Sequence, residues 1–184
     1  PTLDLDGYLH RIGHNGAREA TLGTLVALHR AHVAAIPFEN LDVLLRRPIS
    51  LDLDRLQAKL VHTARGGYCF EHNTLFAEVL RTLGFVVATL EARVRPPGAT
   101  RTLPRTHMVL RVDVDDRSLL ADVGFGGDGP VAPVDLAGSV SEQGLDTYRV
   151  VDEGHVRSLQ VRHDTHWQDL YAFGLEPALP VDFE

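Results

Sequence analysis

The chain has 184 residues, 44% hydrophobic and 23% charged, with a net charge of -7 at pH 7, the composition of a folded globular protein with one substantial core or two small lobes sharing one. Its 25 Asp and Glu against 18 Lys and Arg would repel phosphate backbones, and no apolar run approaches the ~18 residues of a membrane helix, so neither nucleic acid nor a bilayer is an expected partner. Pro1 to Gly7 has no secretion-signal pattern and the single cysteine excludes a disulfide within the chain, which together point to the cytoplasm.

In chain order, apolar residues first recur at helical spacing: Leu5, Tyr8, Leu9 and Ile12, then Leu22, Leu25, Val26 and His29, then Leu56 and Leu60. Thr21 and Asp54 suit N-cap or first-turn positions, and Pro37 closes the second helix and opens the irregular segment Ile36-Pro37-Phe38-Glu39-Asn40. After the turn Arg65-Gly66-Gly67, the stripe Leu75, Phe76, Val79, Leu80 and Leu83 predicts a helix from Cys69 that Gly84 terminates. Beyond Gly84 the period changes to that of strands, over 85–94, 107–114, 118–123, 148–152, 155–162 and 167–173. Asp115-Asp116 and Glu153-Gly154 are the expected hairpin turns. Helices followed by antiparallel strands is an α+β order, and the irregular stretch 95–105, with three prolines, has the length of a functional loop.

Cys69 stands at the start of the helix that follows the Gly-Gly turn, where free backbone N–H groups and the helix dipole favour an anion. A lone cysteine among apolar residues can equally be a small buried hydrophobe, but Gly66, Gly67, Tyr68 and Glu71 are unusual company for a core position. A nucleophilic thiol needs a base, and of ten histidines His107 is distinctive: it opens an apolar strand directly after the Pro-rich loop. Asp122 ends the next strand, so a hairpin at Asp115-Asp116 brings a histidine and an aspartate to one rim of the sheet. The alternative for Asp122 is a plain turn cap.

Gly124-Phe125-Gly126-Gly127-Asp128-Gly129 matches G-x-G-x-x-G formally, but Pro130 and Pro133 occupy the place of the helix a dinucleotide site requires. It reads as a Gly-rich loop whose amides can approach a phosphate or an acyl group. A second alternative, from a different class, makes Cys69, His72, His163 and His166 the ligands of a structural zinc module, although neither half has the turn chemistry of a zinc knuckle. A helical DNA-binding module fits poorly with an acidic chain.

The motifs Ile36-Pro37-Phe38-Glu39-Asn40, Arg65-Gly66-Gly67-Tyr68-Cys69-Phe70-Glu71-His72-Asn73, Thr106-His107-Met108 and Asp122-Val123-Gly124-Phe125-Gly126, in this order, resemble the arylamine N-acetyltransferase family over essentially the whole chain. The resemblance implies a helical domain (1–84) carrying the nucleophile and an antiparallel β-barrel domain (85–184) carrying His and Asp, forming a papain-like cysteine acyltransferase core. It implies ping-pong transfer of an acetyl group from acetyl-CoA, without a metal, to an aromatic amine or hydrazine through acetyl-Cys69, with His107 and Asp122 completing the triad. It implies that Phe38, Val94 and Phe125 line the acceptor pocket and that Thr106 and Gly126 lie on the CoA approach. Family chains continue into a third, lid-like domain, so the expectation is that the lid is absent here and that hydrolysis of acetyl-CoA competes with transfer. A cysteine hydrolase or amidase with the same triad is the nearest enzymatic alternative.

Overall fold

The computed structural model describes residues 2–183; Pro1 and Glu184, the outer limits of the two expected domains, lie outside the described residues. The first part is helical: α1 (Leu5–Arg11), α2 (Leu22–Ala35), the single turns α3 (Leu41–Leu44) and α4 (Leu53–Leu56), and α5 (Cys69–Thr82). Each well-formed start has a local cause. The Asp4 carboxylate accepts from Gly7 N in α1, and the Thr21 hydroxyl accepts from Thr24 N in α2. At α4 the cap is Asp52, with Asp54 in the first turn. Gly84, at φ +92°, closes α5: Gly84 N donates to Arg81 O and Phe85 N to Leu80 O, the paired bonds of a Schellman end.

Two features depart from the sequence reading. The helical turn at 41–44, just after the irregular segment 36–40, has no counterpart in the sequence reading; its Leu41, Leu44 and Leu45 are exposed, so it carries no inward apolar stripe to reveal it. The helix expected around Leu56 and Leu60 becomes a π-helical segment over Gln57–His62. The wider turn keeps Leu60 in the core while Lys59 reaches the carboxylates of Asp42 and Glu71.

Eight strands follow: β1 (Val86–Val94), β2 (His107–Val114), β3 (Arg117–Ala121), β4 (Val134–Asp135), β5 (Ser141–Gln143), β6 (Asp146–Asp152), β7 (Arg157–His163) and β8 (His166–Phe173). They form one antiparallel sheet in the order β4-β3-β2-β1-β8-β7-β6-β5. The short β4 and β5 escape a periodicity argument because two or three residues cannot display a period. Asp115 and Asp116 both have positive φ, 51° and 58°, as a two-residue hairpin of type I′ demands.

The sheet curls until its ends meet. The Gln143 side chain of β5 both accepts from Ala132 N and donates to Ala132 O just before β4, each at 2.9 Å, closing the gap by mimicking a strand. The result is a nearly closed barrel with two apolar faces. Leu90, Val109, Leu120, Tyr148, Leu159 and Tyr171 fill its interior. Leu110, Val112, Leu119 and Ala121 project the other way, into a core shared with Leu25 and Leu28 of α2 and Phe76 and Leu80 of α5. The helical layer is therefore welded to one wall of the barrel, and the beginning of α5 meets the rim where β2 starts and β3 ends. Among the described residues no helix is long and apolar enough to cross a membrane.

Candidate active site at the helix–barrel junction

Three side chains from separate elements converge at that rim: Cys69 as the first residue of α5, His107 as the first of β2, and Asp122 one past β3. They are 8%, 3% and 1% exposed respectively. His107 Nε2 lies 2.7 Å from Asp122 Oδ2, which leaves Nδ1 as the ring nitrogen free to serve Cys69, the other group acting on this imidazole. The sulfur also sits 3.6 Å from the Thr106 carbonyl oxygen. Burial by itself would favour the neutral ring, but the Asp122 carboxylate and the adjacent Cys69 outweigh it and hold His107 up at about 10. Burial likewise works against the Asp122 carboxylate, and the His107 charge with the donors around it keeps that group below the ordinary range.

Asp122 is saturated with donors. Its Oδ1 accepts from Asn73 Nδ2 and from Gly124 N, both at 3.0 Å, while its backbone N–H donates to His29 Nε2 at 3.2 Å. Asn73 also donates to Met108 O at 2.8 Å and accepts from Val123 N at 3.1 Å, so one amide on α5 ties together β2, the turn after β3 and the carboxylate. The Tyr171 hydroxyl, buried in the barrel, lies beside Asp122 without closing a well-aligned bond, and its ring centroid is 5.0 Å from that of His107.

The start of α5 is held from beneath. The Glu71 carboxylate accepts from Tyr68 N at 3.0 Å, capping the helix, and is gripped by Lys59 Nζ at 2.8 and 2.9 Å; Lys59 also reaches Asp42 at 2.8 Å. Gly66 and Gly124 are small because backbone passes against them. A Cβ at residue 66 would lie 2.0 Å from Pro37 O, and one at residue 124 would lie 2.9 Å from both Cα and O of Cys69.

Of the residues singled out for binding, Phe38 and Phe125 share a cavity of about 350 Å³ with Asp122 and Gly126. Gly126 (φ +71°) packs flat against the Phe38 ring, and Gly129 N donates to Gly126 O at 2.8 Å, so the Gly-rich segment is a tight turn with no helix after it. Val94 lines a different space, a cavity of about 760 Å³ beneath the 95–105 loop with Arg95 and Trp167. Thr106 touches the site through its carbonyl. The four zinc-candidate residues are not brought together: His72 is taken by His32 and Pro37 O, and the facing pair His163–His166 forms the β7–β8 end. Among the described residues no group of three or more metal-ligating side chains occurs.

Sequence reasoning assigned no role to Asn73, Tyr171 or His29. Asn73 was open to inference, since its i+4 spacing from Cys69 places both on one helix face. The stripe on α2 announced that His29 faces inward but not its bond to Asp122, and Tyr171 carries no local signal; both are brought in by helix docking and barrel closure.

The molecule is thus a two-layer α+β protein in which a helical layer bearing a cysteine is set against a barrel bearing a hydrogen-bonded histidine and aspartate. The family model described as N-acetyltransferase matches residues 21–184. The arylamine N-acetyltransferase / N-hydroxyarylamine O-acetyltransferase of Salmonella typhimurium is 46% identical over 175 residues, 95% of this chain and 62% of that protein. The solved arylamine N-acetyltransferase of Salmonella typhimurium superposes with a TM-score of 0.94 at 44% identity, covering 98% of this chain and 66% of that one. The Mycobacterium marinum arylamine N-acetyltransferase solved in complex with CoA gives 0.92 at 43% identity, covering 98% and 68%. The chain belongs to the arylamine N-acetyltransferase family. It spans about three fifths of the length of the curated relatives it matches, 62% and 61% for the first two.

Proposed function

We propose that this protein transfers an acetyl group from acetyl-CoA to the nitrogen of an arylamine or arylhydrazine by a ping-pong mechanism, in the cytoplasm, where a thiol nucleophile stays reduced. The observation that carries the reading is the 2.7 Å bond from buried His107 to buried Asp122 with Cys69 beside the same ring. In the first half-reaction the Cys69 thiolate attacks the acetyl carbonyl carbon, the carbon–sulfur bond to CoA breaks, and His107 gives its proton to the departing CoA thiolate. In the second, the amine nitrogen attacks the thioester of acetyl-Cys69, His107 takes the nitrogen proton, and the Cys69 thiolate leaves, restoring the ion pair. Asp122 fixes the ring tautomer and sustains its charge. Backbone N–H groups at the start of α5 face the developing oxyanion.

Phe38 and Phe125 form the apolar wall for the acceptor ring, whereas Val94, also expected there, lines the separate cavity beneath the 95–105 loop. Thr106 and Gly126 border the approach of acetyl-CoA, as the motif resemblance implies, and the Mycobacterium marinum relative solved in complex with CoA supports CoA as the carrier of the acetyl group. The helical part (1–84) and the barrel part (85–184) act as two lobes of a papain-like core with the chemistry on their seam. Incubation with acetyl-CoA, followed by intact mass and then addition of an arylamine, tests the proposal. The expected result is one acetyl group on Cys69 that the amine discharges as its amide; CoA release independent of the amine, with no amide formed, would instead make the protein a hydrolase.

A further inference from the structure

A hydrogen-bonded chain of aromatic side chains crosses the helical core without touching the triad. The Tyr8 hydroxyl of α1 lies 2.8 Å from His32 Nδ1 of α2, His32 Nε2 lies 2.9 Å from His72 Nδ1 of α5, and His72 Nε2 lies 3.2 Å from the Pro37 carbonyl oxygen. All three rings are fully buried. The direction of every proton follows from the end of the chain. A carbonyl only accepts, so His72 Nε2 donates and its Nδ1 accepts; His32 Nε2 then donates, its Nδ1 accepts, and Tyr8 donates. The arrangement satisfies each polar atom only when both rings are neutral, and burial lowers both accordingly, His72 to about 4. Three polar rings are a costly filling for a space between Leu25, Leu28 and Phe76 if packing were the sole requirement.

What lies at the end of the chain supplies a purpose. Pro37 O also accepts from Gly67 N at 3.3 Å, Glu39 N donates to Gly67 O at 2.8 Å, and Phe38 is thereby laid parallel to Gly67, two residues before Cys69. No helix or sheet holds this segment, and the Phe38 ring it presents is 44% exposed, resting on Gly126 at the cavity beside Asp122. We propose that Tyr8, His32 and His72 are positioning residues for acceptor selectivity: the relay pins the Pro37 carbonyl so that Phe38 presents a fixed aromatic wall to the ring of the incoming amine. His72 stands three residues after Cys69 on α5, so one helix sets both the nucleophile and the wall. The inference rests on the arylamine reading above in naming the ligand as an aromatic ring.

The test compares alkylation of Cys69 by 2-bromoacetamide and by 2-bromoacetanilide, which differ only in the aryl group, in the wild-type protein and in His72→Leu, His72→Gln and Tyr8→Phe. Leucine breaks the relay. Glutamine restores it, since its carbonyl accepts from His32 and its amide donates to Pro37 O. The expected result is an aryl preference in the wild type that drops about fivefold in His72→Leu and about twofold in Tyr8→Phe, as loss of an ordered aromatic contact predicts. The bromoacetamide rate should hold, and His72→Gln should keep the preference. Equal losses for both reagents, an unchanged preference in His72→Leu, or no preference in the wild type overturns the proposal; should His72→Leu not fold, an unchanged preference in Tyr8→Phe does the same. Acetyl transfer to aniline is measured in parallel, and its absence from the wild type defeats the arylamine reading without altering the alkylation result.

Discussion

Replacing Asp122 by Asn removes one charge from the buried site and keeps its shape. Oδ1 of the new amide still accepts from Asn73 and Gly124, but its Nδ2 now points at His107 Nε2, two donors facing each other, so the ring must move its proton to Nδ1, the nitrogen that serves Cys69. His107 is held at about 10 in the intact site against 6.5 for a free ring, a difference worth roughly 5 kcal/mol to the imidazolium. That is the range of ~3–5 kcal/mol typical of removing one partner from a buried ion pair. Without the carboxylate, only the adjacent Cys69 opposes burial, and the balance on the ring shifts toward the neutral form. A thiol with no cationic neighbour ionises near pH ~8.5 and is ~3% thiolate at pH 7. With the imidazolium beside the sulfur lost, alkylation of Cys69 by iodoacetamide at pH 7 should fall by about tenfold or more, a deficit relative to the wild type that narrows as the pH is raised. A variant whose profile superposes on the wild type, with the fold intact by circular dichroism, would show that Asp122 does not sustain the charge on His107.

Two further outcomes are expected. Gly124→Ala places a methyl group 2.9 Å from the Cys69 backbone; because backbone cannot yield as a side-chain tip would, urea unfolding should show a loss of about 2–3 kcal/mol together with slower Cys69 alkylation, and wild-type values for both would refute the close approach. Buried His29 and His72 are each held down at about 4 by burial. The unfolded chain takes up these protons near pH 6.5 and the folded one refuses them until about 4, so stability falls as the pH drops through that window. Between pH 6.5 and 5 the loss should reach about 3–4 kcal/mol in urea titrations, with a shallower slope in His72→Gln. A flat dependence would mean that these rings are not neutral in the fold.

The helices with broad apolar stripes, α2 and α5, and the long strands β1, β2, β7 and β8 were legible because their periods are properties of neighbouring residues. Thr21, Gly84 and the Asp115-Asp116 turn announced boundaries for equally local reasons. The turn at 41–44, the π-helical segment and the short strands β4 and β5 were not, since each is held by partners distant in the chain: Lys59 by Asp42 and Glu71, and β5 by the Gln143–Ala132 bridge.

At the candidate site, residue chemistry picked out Cys69, His107 and Asp122 from their settings at a helix start, a strand start and a strand end, and motif resemblance named Phe38, Val94, Thr106, Phe125 and Gly126 around them. Local sequence determined these settings because caps, turns and periodicity act over a few residues. Only the tertiary structure decided that α5 docks against the β2–β3 rim, that Asn73 bonds Asp122, that Val94 faces a separate cavity, and that three buried rings end on Pro37. Contacts among residues tens of positions apart depend on how whole faces pack, and no short stretch of sequence contains that information.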